Sequence, residues 1–199
     1  MLRRSRQRSK HPRDHLDGRP RRPWLRAAIA AASLTAIATV AWSVGASHDA
    51  GPPDFAMIAY QGQDVLGGDE VRFRDVVGQG VTVILNFWAA SCPPCRAEMP
   101  GFQEVADAYG DAIVLLGVDV GAFTFLGTHE QARAFLGEYD ITYPAAYAVD
   151  GQVLRDYEVR GMPTTLFFDA SGKQVAKHTG FLPGPDLRER IEDLLAEGG

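Results

Sequence analysis

The pattern of apolar and polar residues between positions 81 and 120 predicts two strands joined by a helix. Residues 81–88 are an almost continuous run of β-branched and aromatic residues, as in a strand that is buried on both faces. From Cys95 to Tyr109 the apolar residues recur every three or four positions, which predicts a helix with one buried face that ends at Gly110. A second apolar run follows at 112–120. We expect the two strands to be parallel, because a helix separates them along the chain.

The pattern after residue 120 predicts a further helix and a hairpin. Thr128 and Gln131 form a capping-box pattern ahead of apolar residues at helical spacing. Two short runs at 164–168 and 174–178 flank the turn-forming residues 169–172. This arrangement predicts an antiparallel hairpin.

The remaining elements complete an α/β pattern. A last amphipathic helix is indicated by the apolar residues Leu187, Ile191, Leu194 and Leu195. Short strands are also expected within residues 55–75. The resulting order of elements, βαβ(α)…ββα, predicts a central mixed β-sheet with helices on both faces.

The first 45 residues have the charge pattern of a membrane or export segment. Residues 1–26 carry ten Lys or Arg and two acidic residues, whereas residues 27–45 carry no charge. A helix of this apolar length spans about 28 Å, which is close to the thickness of a bilayer core. The positive-inside rule then predicts a basic cytoplasmic arm at 1–26, a single transmembrane anchor at 27–45, and a body outside the cytoplasm.

A cleaved signal is an equally open interpretation of the same segment. Arg21 and Arg22 followed by the apolar run resemble a twin-arginine export signal, and residues 44–46 offer small side chains for cleavage. In that case the body is secreted after cleavage near Ala46.

The body begins after a short linker and is acidic. Residues 46–53 contain one glycine and two prolines, which cannot continue a helix, so the folded domain is predicted to span residues 54–199. Residues 27–199 carry ten basic and 23 acidic side chains. This balance argues against a nucleic-acid partner, because binding to phosphates requires clustered positive charge.

The chain has only two cysteines, Cys92 and Cys95, and they stand at the junction between the first long strand and the helix. A multi-disulfide scaffold and a four-cysteine zinc site are therefore excluded. A thiol at a helix N-terminus faces unpaired N–H groups and the positive end of the helix dipole, which stabilise its thiolate. We predict that Cys92 is the attacking sulfur and that Cys95 resolves the mixed disulfide.

Three alternatives compete with redox chemistry at this pair. A structural disulfide would close so short a loop that it would add little stability. A zinc site would need two further ligands, and His129 and His178 lack any ligand spacing, so we expect no metal and no other cofactor. A Cu(I) chaperone that binds copper through the same two thiols, without turnover, remains open.

Glu98 lies one helical turn beyond Cys95 and is expected on the same side of the helix. If it is buried, loss of hydration raises its pKa and lets it exchange a proton with Cys95. If it is exposed, it is a solvated surface residue with no role. The geometry of a helix alone does not decide between these two interpretations.

Two further positions are predicted to flank the site. Pro163 follows Met162 and precedes the strand at 164–168, where a proline that cannot donate to the ladder fits the first position. Such a tight entry is compatible with a cis bond or with an ordinary trans proline. Trp88 is predicted mainly to be buried in the core and, in addition, to line one side of the site.

Three separated motifs of the chain resemble a known family. Residues 86–100, 157–165 and 169–173 look like those of the membrane-anchored, extracytoplasmic thioredoxin-like proteins of the TlpA/ResA/CcmG type. The resemblance covers roughly residues 54–196. It implies a thioredoxin fold, a reducing CxxC pair, and a helix kink at Pro100.

The same resemblance implies roles for individual residues. It implies a buried glutamate at Glu98 and a cis-proline at Pro163, beside which the backbone of Met162 pairs with a bound client. Asn86 stands where ordinary thioredoxins carry an aspartate. Ser91 stands where the family usually has a tryptophan, and its smaller side chain is expected to uncover Cys92.

Together these features predict a thiol:disulfide oxidoreductase outside the cytoplasmic membrane, acting as a reductase. The resemblance implies that its clients include apocytochrome c and that its electrons come from a membrane thiol reductase. Within the enzyme class, the rival function is an oxidase that introduces disulfides into secreted proteins. The sequence does not fix the reduction potential, which decides between the two.

Overall fold

The computed structural model describes residues 51–197. The predicted basic arm at 1–26, the apolar segment at 27–45 and the first five residues of the linker lie outside the described residues. Within the described part, every helix is too short or too polar to cross a membrane.

Residues 51–197 form seven strands and six α-helices. The strands are β1 (Ala56–Gln61), β2 (Glu70–Arg72), β3 (Thr82–Trp88), β4 (Ile113–Asp119), β5 (Ala145–Ala148), β6 (Thr164–Phe168) and β7 (Gln174–Thr179). The helices are α1 (Gln63–Leu66), α2 (Pro93–Tyr109), α3 (Gly121–Thr124), α4 (His129–Glu138), α5 (Gln152–Asp156) and α6 (Gly184–Glu197).

The strands form one mixed sheet in the order β2-β1-β5-β4-β3-β6-β7. β3 is parallel to β4 and antiparallel to β6, and β6 forms an antiparallel hairpin with β7. The predicted parallel pair, the predicted hairpin and the mixed α/β sheet are therefore confirmed. The predicted helix at 95–109 is α2, which begins two residues earlier, at Pro93, and ends before Gly110 as expected.

Each face of the sheet carries its own apolar core. On one face, α2, α4 and α6 pack around the side chains of Trp88, Phe102 and Phe135. On the other face, Phe87 packs in a second cluster with residues of β1, α1 and α5. Neighbouring residues of β3 point to opposite faces, and both faces are covered, which explains why the whole strand is apolar.

The predicted capping box forms at the start of α4. The Thr128 hydroxyl accepts a hydrogen bond from the Gln131 amide at 3.2 Å, and the Thr128 amide donates to the Gln131 side chain at 2.9 Å. The strand β5 was not predicted. Its sequence is Ala-Ala-Tyr-Ala, which lacks β-branched residues, and its extended form depends on pairing with β1 and β4 on its two sides.

The helices α2 and α6 approach each other through two glycines. A Cβ atom on Gly184 would lie 3.1 Å from the carbonyl oxygen of Gly101, so neither position has room for a side chain without a backbone shift. This close contact places the loop before α6, with Leu182, against the first half of α2.

We predict that Phe102→Ala lowers the free energy of unfolding by about 3–5 kcal/mol, because it leaves a cavity between α2 and the sheet. Phe125→Ala is the matched control, since Phe125 is 97% exposed and its ring loses little burial. Urea unfolding at equilibrium measures both changes. Equal destabilisation by the two substitutions would contradict the assignment of the core.

Candidate active site

A disulfide joins the two cysteines where β3 passes into α2. The helix begins at Pro93, so Cys92 occupies the N-cap position. The Cys92 sulfur accepts a hydrogen bond from the amide of Cys95 at 3.4 Å, and the two Cα atoms are 5.3 Å apart. Pro93 and Pro94 occupy the first turn, where the missing N–H groups cost no helical hydrogen bond.

The N-terminal end of α2 favours negative charge at this position. The aligned peptide dipoles of its 17 residues give the end a partial positive charge. The Arg96 guanidinium at the same end donates to the carbonyl of Ala90 at 3.2 Å, lies 4.5 Å from the ring centre of Phe135, and is 3.7 Å from the Glu138 carboxylate, which offsets its charge. The helix dipole is therefore the effect that stabilises the thiolate of Cys92 once the disulfide is reduced.

The expectation that Ser91 leaves Cys92 uncovered is wrong. Cys92 is only 3% exposed and Cys95 is fully buried, although the side chain of Ser91 itself is exposed. The loop after β4 closes against this turn, because the Ser91 amide donates to the carbonyl of Leu126 at 2.7 Å and the backbone of Gly127 packs beside it. Cys92 is therefore buried despite the small side chain at 91, in a turn that is packed against this loop.

Glu98 lies in the interior of the domain, with 1% of its surface exposed. Its Oε1 accepts a hydrogen bond from the Asn86 side chain at 2.8 Å, and its Oε2 accepts one from the Leu182 amide at 2.9 Å. Burial raises the pKa of Glu98 from 4.5 to about 7, against the opposing effect of these two hydrogen bonds. The prediction of a buried glutamate is confirmed, and the surface alternative is excluded.

The sheet fixes the partner of this carboxyl group. Asn86 is paired in register with Gly117 on β4 and with Thr165 on β6. Its Nδ2 donates to the Thr165 hydroxyl at 3.1 Å as well as to Glu98. An uncharged amide therefore occupies the central strand beneath the acid.

The bond between Met162 and Pro163 is cis, as the resemblance implied. Thr164 is paired with Phe87 in the antiparallel register, so Pro163 lies beside the end of β3 from which the cysteine turn departs. Met162 is half-buried and packs against the cluster that contains both cysteines. The two residues therefore lie at the end of the sheet that carries the cysteine turn.

Trp88 is fully buried and packs against Phe135, with 5.6 Å between ring centres. This position fits the predicted core role. It does not fit contact with a client, because the side chain reaches no surface that a client would meet.

A polar cluster at the same end of the sheet was missed by the sequence analysis. Asp119 is buried and accepts hydrogen bonds from the Tyr60 hydroxyl at 2.9 Å and from the Gly121 amide at 2.8 Å. The Nδ1 atom of His129 lies 2.9 Å from the Tyr60 oxygen. The sequence did contain a sign of this position for Asp119. Asp119 ends β4, which is parallel to β3, so it must lie at the same edge of the sheet as Trp88, the last residue of β3.

Other contributors to the site have no sequence signal. Any residue except proline offers the main-chain amide that Leu182 donates to Glu98. Tyr143 is also buried, and its burial, together with the charge of nearby Glu98, raises the pKa of Tyr143 well above its usual range. Within residues 51–197, no group of three or more His, Cys, Asp and Glu side chains is arranged to hold a metal ion.

Comparison of the sequence with known proteins finds similarity to thioredoxin-like and thiol-disulfide oxidoreductase proteins. Residues 52–177 match the AhpC/TSA family. The thiol-disulfide oxidoreductase ResA of Oceanobacillus iheyensis is 36% identical over 145 residues, which are 73% of this chain and 71% of that protein. The thioredoxin-like protein YneN of Bacillus subtilis is 31% identical over 150 residues, which are 75% of this chain and 81% of that protein.

Comparison with solved structures supports the same assignment of fold. A thiol:disulfide interchange protein of the DsbE type from Chlorobium tepidum superposes with a TM-score of 0.58 and 30% identity, over 76% of this chain and 99% of that one. The exposed lipoprotein thioredoxin Etrx1 of Streptococcus pneumoniae gives a TM-score of 0.57 and 28% identity, over 71% of this chain and all of the other. The predicted thioredoxin fold and the resemblance drawn from the motifs are confirmed.

The raised pKa of Glu98 predicts a pH-dependent stability of the oxidised protein. The native state binds this proton more tightly than the unfolded state, so the stability is fully present below pH 4.5 and is lost as the pH rises to about 7. The loss amounts to about 3 kcal/mol, and Glu98→Gln abolishes it because the amide does not titrate.

Urea unfolding at pH 4.5 and at pH 7.5 measures this difference. Glu104→Gln on the exposed side of the same helix is the control and should keep the wild-type dependence. A Glu98→Gln variant with an unchanged pH dependence would show that the carboxyl does not hold its proton in the native state.

Proposed function

The chain belongs to the AhpC/TSA family and is a thiol:disulfide oxidoreductase with a thioredoxin fold, and from this premise we propose that it reduces disulfides of exported proteins. The observation that carries the proposal is the buried carboxyl of Glu98, set one helical turn beyond Cys95 with a pKa of about 7. A purely structural disulfide has no need for such a group, whereas disulfide exchange requires protons to be moved.

The reaction begins with the reduced pair. The Cys92 thiolate attacks one sulfur of a client disulfide, so that a mixed disulfide forms and the other client sulfur leaves as a thiolate. Cys95, as a thiolate, then attacks Cys92. The second client sulfur is released, and two electrons have passed from the pair to the client.

Glu98 serves the second step. Cys95 is fully buried, so its thiol cannot pass its proton directly to bulk water. The ionised carboxyl of Glu98 accepts that proton and returns it when the pair is reduced again. Since its pKa is about 7, Glu98 is present in both protonation states at neutral pH and can serve as proton acceptor or donor.

The client is proposed to bind beside Met162 and Pro163. An extended segment can pair with a free backbone edge as a short added strand, and the cis bond turns this part of the chain next to the cysteine junction. Met162 is partly exposed and offers an adaptable apolar contact.

The cellular setting is proposed from the sequence. The basic arm at 1–26 and the uncharged segment at 27–45 support an anchored or exported protein whose domain lies outside the cytoplasm. We propose c-type apocytochromes as clients and a membrane thiol reductase as the electron donor. The ResA-type relatives support reduction over the rival oxidase function, which a reduction potential close to that of DsbA would favour instead.

We predict that Cys95→Ala traps clients as mixed disulfides on Cys92, because attack needs only the first thiol and release needs the second. Non-reducing gels and mass spectrometry of the membrane fraction detect the adducts. Cys92→Ala is the control and should trap none, because it removes the attacking sulfur at the N-cap of the helix, and Cys95, inside the first turn, has no exposed surface.

The trapped proteins identify the role. Apocytochromes, which carry the C-x-x-C-H haem-attachment motif, would support the proposed function. A diverse set of secreted proteins would point to the oxidase or to a general reductase. If Cys95→Ala trapped nothing while the wild type cycled between oxidised and reduced forms, two-step exchange would have to be abandoned.

Glu98→Gln is expected to slow resolution of the mixed disulfide by roughly a hundredfold, the usual contribution of a general base. The wild-type rate should rise with pH to a midpoint near 7, and the variant should lose that rise. Rapid-quench kinetics with a disulfide peptide give both rates. Matching pH profiles in the two proteins would remove Glu98 from the mechanism.

A further inference from the structure

The loop after β4, residues 120–128, carries an exposed aromatic ring. Phe125 is 97% exposed, which is the largest fraction of any large apolar side chain in the described part of the chain. Its φ of 59° lies in the left-handed region, which bulky residues rarely adopt. A glycine would suit this backbone better, and a ring surrounded by solvent adds nothing to the core. The fold therefore does not need a phenylalanine here, and the face of the ring is open to a partner.

A series of hydrogen bonds holds this loop against the cysteine turn. The Gly121 amide donates to the buried carboxyl of Asp119 at 2.8 Å, and the Leu126 amide donates to the Gly121 carbonyl at 3.1 Å. The Leu126 carbonyl in turn accepts a hydrogen bond from the Ser91 amide at 2.7 Å. The backbone next to the exposed ring is therefore bonded directly to the residue that precedes the reactive cysteine.

A surface cleft of about 650 Å³ is formed by this loop, by the first turn of α4 and by Ser91. Phe125 and Ala122 contribute apolar side chains to its wall, and Gln131 contributes a polar one. Within the described part of the chain, its lining contains no Asp, Glu, Lys or Arg. A cleft with apolar walls and a few uncharged polar groups fits an apolar side chain of an extended segment.

The mixed disulfide determines where a client lies relative to this cleft. In a disulfide of ordinary geometry, the Cα atom of the client cysteine lies about 5–6 Å from that of Cys92. Neighbouring residues of an extended client follow at intervals of about 3.3 Å. Ser91 both precedes Cys92 and lines the cleft, so the cleft begins one residue from the point of attachment. The residues beside the client cysteine are therefore the ones that reach it.

The cleft and the proposed client contact at Pro163 lie on opposite sides of β3. The loop with Phe125 follows β4, which pairs with one edge of β3. Pro163 precedes β6, which pairs with the other edge. A client segment that crosses the cysteine turn therefore extends from Met162 on one side to Phe125 on the other.

We propose that Phe125 and this cleft dock an apolar side chain next to the reactive cysteine of an incompletely folded client, which makes Phe125 a specificity-determining residue. Folded proteins bury most of their large apolar side chains, whereas unfolded segments expose them. An exposed ring beside the attacking sulfur therefore favours clients that have not yet folded. This inference rests on the proposed function, because it assigns part of the client surface of the same cysteine pair.

The test uses the reduced full-length protein in detergent and two synthetic peptides, each with one cysteine joined by a disulfide to nitrothiobenzoate. The cysteine is flanked by phenylalanine in one peptide and by serine in the other. Attack of the Cys92 thiolate on the peptide sulfur forms the mixed disulfide and releases coloured nitrothiobenzoate, whose absorbance gives the rate. The peptide concentration that gives half of the maximal rate measures docking.

Phe125→Ala should raise this concentration for the phenylalanine peptide by about two- to tenfold, which is the contribution of one aromatic pair, and should change it less for the serine peptide. Phe125→Leu retains a large apolar side chain and should restore most of the loss. Val65→Ala is the control, because Val65 is an exposed apolar residue of α1 at the opposite end of the sheet. It should leave both values unchanged.

The possible failures are distinguishable. Equal changes for the two peptides in Phe125→Ala, or no change for either, would overturn the docking role. Loss of self-association in this variant, measured by sedimentation in the same detergent, together with unchanged peptide kinetics, would assign the ring to a contact between copies of the chain and overturn the proposal as well. A wild-type protein that releases nitrothiobenzoate from neither peptide would contradict the proposed function itself, and this inference with it.

Discussion

A carboxyl group held away from bulk water beneath a disulfide is the constraint on which the rest of the site depends. Loss of hydration disfavours the charged form of Glu98, whereas hydrogen bonds from Asn86 and Leu182 favour it. Burial has the larger effect, but the hydrogen bonds keep the pKa near 7 rather than far above it. At neutral pH the two protonation states are therefore similar in free energy, which is the condition for reversible proton transfer.

The sheet supplies the precision that this balance requires. Gly117, Asn86 and Thr165 form one row across β4, β3 and β6, so the amide beneath the acid is fixed by strand pairing on both sides. The cysteines sit on a turn, but the turn is held between the end of β3 and the N-terminus of a long helix. Groups on strands and helices are positioned more accurately than groups on free loops.

The sequence predicted those parts of the molecule that depend on local patterns. Periodicity predicted β3, α2 and the hairpin, and helical spacing placed Glu98 on the side of Cys95. The patterns did not predict β5, whose alanine-rich strand depends on its neighbours. They also did not predict the burial of Cys92, where the turn at Ser91 packs against a loop 35 residues further along the chain. Whether Glu98 is buried was undecidable from spacing alone, since the answer depends on Leu182 and other distant residues.

The hydrogen bond between Glu98 and Leu182 spans 84 residues, and this separation has a consequence for the order of events during synthesis. Cys92 and Cys95 leave the ribosome long before Leu182 does. Until the last part of the chain has folded back, Glu98 lacks this hydrogen bond and part of its cover, so its pKa stays nearer the ordinary value of 4.5. The nascent chain thus carries its dithiol before Glu98 reaches the environment that raises its pKa. Completion of the C-terminal fold, rather than formation of the CxxC turn, is the event that finishes the surroundings of this carboxyl group.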